Sequence, residues 1–183
     1  MPIDGVVASG GMKYTIVTPI GFIPLSTDAS NITVLSSGST DDGYFTVDLP
    51  FTTYFNGIGY NQLFVGTNGY VTFGGGSTVF SSPSSSNPPF NKIMVGTADR
   101  SSNGVYYLNS GTSWKLRSNC WTGNSLNGIL CGYELECFNS DPKNIRLSIG
   151  TSLASGVFGV YTPTTLVAPL STLSNISYNI KSA

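Results

Sequence analysis

The stretch that most constrains the fold is Leu63 to Gly74, which reads LFVGTNGYVTFG. Phe64 and Val65 precede Asn68-Gly69, and Tyr70, Val71 and Phe73 follow it. These β-branched and aromatic residues favour strands. Asn-Gly is the preferred pair for a two-residue type I′ turn, because both central residues need positive φ. The spacing predicts a β-hairpin closed by Asn68 and Gly69, with the rest of the chain packed around it as strands.

Further apolar runs separated by turn residues extend the pattern. Tyr44 to Phe55, Ile93 to Val95, Val105 to Leu108, Trp114 to Trp121, Ile145 to Ile149, Phe158 to Tyr161 and Ile176 to Ile180 all read as strands. Asn56-Gly57 and Gly59 are expected to turn the chain into the hairpin. Ile129 to Phe138 alternates cleanly, placing Ile129, Cys131, Tyr133, Leu135 and Cys137 on one face and Glu134 and Glu136 on the other. With residues 122–128 as the connection, Cys120 falls opposite Cys131. No run has helical periodicity with caps. Many short strands with Gly, Pro and Asn turns predict an all-β, antiparallel sandwich.

The division expected is an N-terminal arm over residues 1–42, with short strands, and a β-sandwich over residues 43–183. In the arm, Ile16, Val17, Ile20, Phe22, Ile23 and Leu25 lie in a run broken by prolines, which lack a ladder donor and exclude a central strand. The arm is expected to cover its own sandwich or a neighbour's. Residues 74–89, GGGSTVFSSPSSSNPP, form a long loop that is either functional or packed on something. Its Val79 and Phe80 join Ile20, Phe22, Ile23 and Leu25 as expected assembly contacts.

Composition narrows the function classes. Charged residues make up 9% of 183, against about 25% in a typical soluble domain. Eight basic residues balance nine acidic ones, so no basic footprint for nucleic acid is expected. A surface of Ser, Thr, Asn and Gly with little charge offers little to oppose association. The chain contains no histidine, which removes the commonest general base and metal ligand. Three cysteines without CxxC spacing predict reduced structural thiols rather than a zinc site or a disulfide framework. Met1 to Gly11 has neither the basic nor the apolar region of a signal peptide, and the Tyr14 to Leu25 run is too short to span a bilayer.

The order of motifs carries a resemblance. YNQLFVGTNGYVTFGGG, then KIMVGTADRSSNGVYYL, then YELECFNSDPKNIRLSIGT resembles a nidogen-like (NIDO-type) β-sandwich module over residues 48–160. It is also similar to tail and other virion structural proteins of marine phages and cyanophages. The resemblance implies a sandwich fold and a place in a virion assembled in the host cytoplasm.

Little in the chain reads as chemistry. Asp99 to Gly104 opens like a calcium loop, but Ser110 stands where the EF-hand needs its twelfth-position Glu. Asp99 is expected to accept backbone N–H bonds in a turn, with Gly104 allowing positive φ. Glu134 and Glu136 are expected to form cross-strand ion pairs with Lys115, Arg117 or Arg146 rather than act as a glycosidase pair. Trp114, Trp121, Tyr106 and Tyr107 are expected in the core rather than under a sugar ring. The expectation is therefore a non-enzymatic structural protein with no cofactor or metal. It acts through a homo-oligomer, a trimer by analogy, in a tail, baseplate or fibre. Capsid decoration and host-glycan binding are the alternatives, and neither nucleic acid nor membrane is expected as a partner.

Overall fold

The computed structural model describes residues 3–6, 13–17, 29–80, 86–123, 130–150, 156–170 and 176–182. Among these, every regular element is a strand. In chain order they are β1 (Ile3–Val6), β2 (Lys13–Val17), β3 (Ser30–Ile32), β4 (Ser37–Gly38), β5 (Gly43–Phe55), β6 (Ile58–Gly66), β7 (Tyr70–Phe73) and β8 (Asn91–Thr97). There follow β9 (Arg100–Ser101), β10 (Val105–Asn109), β11 (Ser113–Thr122), β12 (Leu130–Phe138), β13 (Asp141–Ile149), β14 (Val157–Tyr161), β15 (Leu166–Pro169) and β16 (Ile176–Lys181).

They make two antiparallel sheets packed face to face. One runs β1-β2-β16-β13-β12-β11-β10-β3, with β9 beside β11; the other runs β15-β14-β8-β7-β6-β5-β4. Period-two alternation sends one side of each strand inward. The first sheet contributes Trp114, Leu116, Tyr133, Leu135, Ile145 and Leu147 to the core, and the second contributes Phe45, Val47, Leu63, Val65, Phe73, Ile93 and Val95. Each such buried side chain is worth roughly 1.5–3 kcal/mol relative to exposure. Phe55 stacks on Phe73 with ring centroids 4.1 Å apart. Trp114 satisfies its only polar atom by donating to Thr53 Oγ1 across the core at 2.9 Å.

The central hairpin forms, but its turn differs from expectation. Gly66 pairs with Tyr70, so the loop is the three residues Thr67, Asn68 and Gly69. Only Gly69 has positive φ, at 82°. The I′-like turn lies one hairpin earlier, where Phe55 pairs with Ile58 and Asn56 and Gly57 take φ of 52° and 74°. A three-residue loop needs only its last residue in the left-handed region, and that residue is Gly69.

The long loop after β7 packs on the outer face of the second sheet. Thr72 donates to the Gly75 carbonyl at 2.6 Å and Tyr70 to the Ser77 carbonyl at 2.9 Å. Lys92 donates to the Pro88 carbonyl at 2.6 Å. Tyr70, Met94 and Tyr161 form a second small apolar cluster on that side. Strands β7 and β8 are therefore buried on both faces along their whole length.

The described strands of residues 1–42 lie at or next to the sheet edges. β3 pairs with β10 and β4 with β5, while β2 is held between β1 and β16. Ile16 and Val17 thus lie on an internal strand, contrary to expectation, because the prolines of that run fall after it. With β1 outside β2, this N-terminal stretch supplies three of the four outermost strands.

Candidate functional site

One end of the sandwich gathers carboxylates from two loops. Asp41 and Asp42 sit on the turn between β4 and β5, and Asp99 between β8 and β9. Their nearest oxygens all lie within 4.8 Å of one another. Local bonds hold the turn in place. The Asp42 N–H donates to Ser39 Oγ at 3.1 Å, and the Thr67 hydroxyl donates to the Asp41 carbonyl at 2.6 Å. Thr67 Oγ1 also accepts the Gly43 N–H at 3.0 Å, tying the turn to the β6–β7 loop.

Asn68 is the hub of this end and is fully buried. Its Nδ2 donates to Asp42 Oδ1 at 3.1 Å and to the Val79 carbonyl at 3.3 Å. Its Oδ1 accepts the Arg100 N–H at 2.7 Å. One amide thus joins the acidic turn, the covering loop and the β8–β9 turn. Asp41 Oδ1 is buried with no hydrogen-bond partner. Partial burial, then the charges of Asp42 and Asp99, hold its carboxyl above the usual range. Three hard oxygens suit a cation such as Ca²⁺ chemically, but fall short of the six to eight that calcium takes. What the arrangement does by itself is raise the affinity of Asp41 for a proton.

The expected site residues divide. Ile20, Phe22, Ile23 and Leu25 lie outside the described residues. Val79 is half-buried, its carbonyl accepting from both Tyr70 and Asn68. Phe80 stands 46% exposed beside it. Gly69 has the positive φ expected of it, and Asn68 is a buried clamp rather than a positive-φ turn residue. Gly104 is a correction: it is not in the positive-φ region. A Cβ there would come 2.7 Å from Asn31 Oδ1 and 3.1 Å from the Ile32 carbonyl, so close approach of β3 is what demands glycine. Asp99 is another correction, because the backbone N–H in its turn goes to Asn68 and its carboxyl faces Asp41 and Asp42. Asp41 and Asp42 close a run of polar residues from Ser36, and nothing local in the sequence points to Asp99 as their neighbour.

Glu134 and Glu136 form the expected ion pairs, Lys115 Nζ to Glu134 Oε1 at 3.6 Å and Arg146 Nη2 to Glu136 Oε2 at 2.7 Å. Burial raises the Glu134 pKa, and Lys115 partly offsets it. Most other cations are also engaged in the fold. Lys92 and Arg100 are buried, Arg117 lies over the Tyr106 ring at 4.6 Å, and Lys181 pairs with Asp141 at 3.6 Å. Four large apolar side chains among the described residues are exposed instead: Val34, Ile58, Phe80 and Leu166. Trp114 is in the core as expected, and Trp121, Tyr106 and Tyr107 are half-buried. A shallow depression lies over β6, lined by Tyr60, Asn61, Gln62, Phe64, Gly59 and Gly74.

These features define a two-sheet antiparallel β-sandwich with a charge-poor surface and one acidic end. The NIDO-related family model matches residues 14–118, more than half of the chain, and the chain belongs to that family. No curated protein and no solved structure matches it. No helix among the described residues is long and apolar enough to cross a membrane.

Proposed function

We propose that the chain is a non-enzymatic structural protein of a phage virion, working through protein–protein assembly in a tail, baseplate or fibre. The observation that carries the assembly reading is the disposition of charge. Of the seven basic side chains whose placement is described, six are buried, ion-paired or stacked within the fold, while Val34, Ile58, Phe80 and Leu166 face solvent. Such a surface has little long-range repulsion to keep copies apart and apolar points to hold them together. The virion context rests on the similarity of the VGTN and FGGGS segments to virion proteins. On this reading the site of action is the particle itself, and the partners are further copies of the chain and other virion proteins.

Light scattering across a concentration series tests it. The expected result is a defined oligomer, a trimer by analogy, that weakens when Phe80→Ser and Leu166→Ser are combined. A monomer at high concentration that also binds no component of a purified particle defeats the proposal.

The depression over β6 supports a second reading, host-glycan binding. Tyr60 and Phe64 line it beside Asn61 and Gln62, and aromatic rings next to amides are a combination that suits a sugar. Glycan-array binding lost in Tyr60→Ala would favour it over capsid decoration or tail assembly.

A further inference from the structure

The antiparallel ladder between β11 and β12 sets Cys120 directly against Cys131, between the pairs Asn119–Gly132 and Trp121–Leu130. Residues directly opposed on antiparallel strands share a face of the sheet, with Cα atoms about 4.5–5.5 Å apart. A disulfide needs Cα atoms about 4.4–6.8 Å apart, so the register meets its backbone requirement without rearrangement. Cys120 is buried, on the same alternation as Leu116 and Trp114. The third cysteine does not compete. Cys137 is set against Trp114, six positions along β12 from Cys131, or roughly 20 Å. Its thiol pKa is pushed up to about 11, chiefly by burial, which leaves little thiolate for exchange.

We propose that Cys120 and Cys131 are a redox pair that closes into a cross-strand disulfide when the protein meets a low-molecular-weight disulfide oxidant. One cysteine thiolate attacks the oxidant and expels one thiolate, forming a mixed disulfide. The second cysteine then attacks the protein sulfur and expels the other thiolate. Two protein thiols lose two electrons and two protons, and one oxidant disulfide becomes two thiols. Access comes from the end of the ladder, because Leu130 is the first residue of β12 and β11 ends at Thr122. Only the Trp121–Leu130 pair lies beyond Cys120–Cys131 on this ladder, so local opening at that end is the step that exposes the pair. The bond ties the two ends of the 121–130 connection, leaving a short closed loop. Its timing, open in a reducing cytosol and closed outside, rests on the virion reading; the bond itself does not.

The test equilibrates the full chain in glutathione buffers of rising oxidised fraction, with and without 2 M urea, followed by acid quench and alkylation. Digestion uses chymotrypsin, since no Lys or Arg separates the three cysteines between Arg117 and Lys143. The expected product is a Cys120–Cys131 linked peptide with Cys137 alkylated, and a Tm higher by roughly 5–10 °C in the oxidised form. Cys131→Ala removes both the link and the shift, and Cys137→Ala keeps both. The proposal is overturned if all three cysteines are alkylated at full oxidation even in urea. It is equally overturned by a link to Cys137 or by a glutathione adduct that is never resolved.

Discussion

Replacing Asn68 with Ala removes the one side chain that joins three loops at the acidic end. The largest loss is the acceptor of the Arg100 N–H, now bonded at 2.7 Å in a buried setting. A buried donor left unpaired costs about 1–3 kcal/mol. The other two partners lose less. The Val79 carbonyl keeps a share of the Tyr70 hydroxyl proton at 3.0 Å, the Ser77 carbonyl competing for it at 2.9 Å, and Asp42 is only half-buried and can take water in exchange. The expected total is about 2–4 kcal/mol, or a Tm lower by roughly 5–15 °C for a chain of this size. Urea unfolding followed by tryptophan fluorescence reads it, because Trp114 is in the core. Asn68→Asp separates the two halves of the argument. It keeps an oxygen for Arg100 but sets a fourth carboxylate against Asp41, Asp42 and Asp99, so its deficit is large at pH 7 and shrinks as those groups protonate. An Asn68→Ala protein within 0.5 kcal/mol of wild type, a threshold set by ordinary surface substitutions, would refute the clamp.

Asp41→Asn is expected to stabilise at pH 7. The folded pKa of Asp41 is raised, so the native state disfavours its charge above that pKa, and the advantage of Asn disappears as pH falls below the unfolded value near 4; thermal melts at pH 7 and pH 4 check it. Lys92 carries the opposite sign of effect, its pKa lowered to about 8 by burial. Wild-type stability should rise relative to Lys92→Met between about pH 8 and pH 10, as the unfolded state alone keeps the proton. Gly69→Val and Gly57→Val both force a β-branched residue to positive φ, at roughly 1–3 kcal/mol. The Gly69 change should cost more, because its Cβ would come 3.0 Å from the Val95 carbonyl whereas nothing lies within 4 Å at Gly57; equal costs in urea would contradict this packing.

Alternation made most of the sandwich legible. Trp114 to Trp121 and Ile129 to Phe138 read as strands because one face of each is polar, and the Cys120–Cys131 register followed from the length between them. Asn68-Gly69 misled in detail, since Asn-Gly signals a turn but not which hydrogen bonds the Asn side chain will find. β15 went unread because Leu166–Pro169 is short and ends in proline. The acidic end was beyond local reading for a different reason. Asp41 and Asp99 are 58 residues apart in sequence, and only the packing of two turns at one end of the sandwich brings them together. The length of the Gly/Ser/Pro loop marks it as functional or packed but not where it packs; its backbone carbonyls satisfy Tyr70, Thr72 and Lys92 on a face that is itself part apolar.

The pairing of β2 with β16 sets an order of events during synthesis. Val17 lies opposite Ser177 and Lys13 opposite Lys181, so β2 waits for a strand made some 160 residues later. At about 5–20 residues per second, some 160 residues separate the appearance of the two by roughly 8–30 seconds. Through that interval β2 has no sheet to join, and the edge it will cover does not yet exist. The first sheet therefore closes only after residues 176–181 have been made, and the long loop closure that this pairing needs slows it.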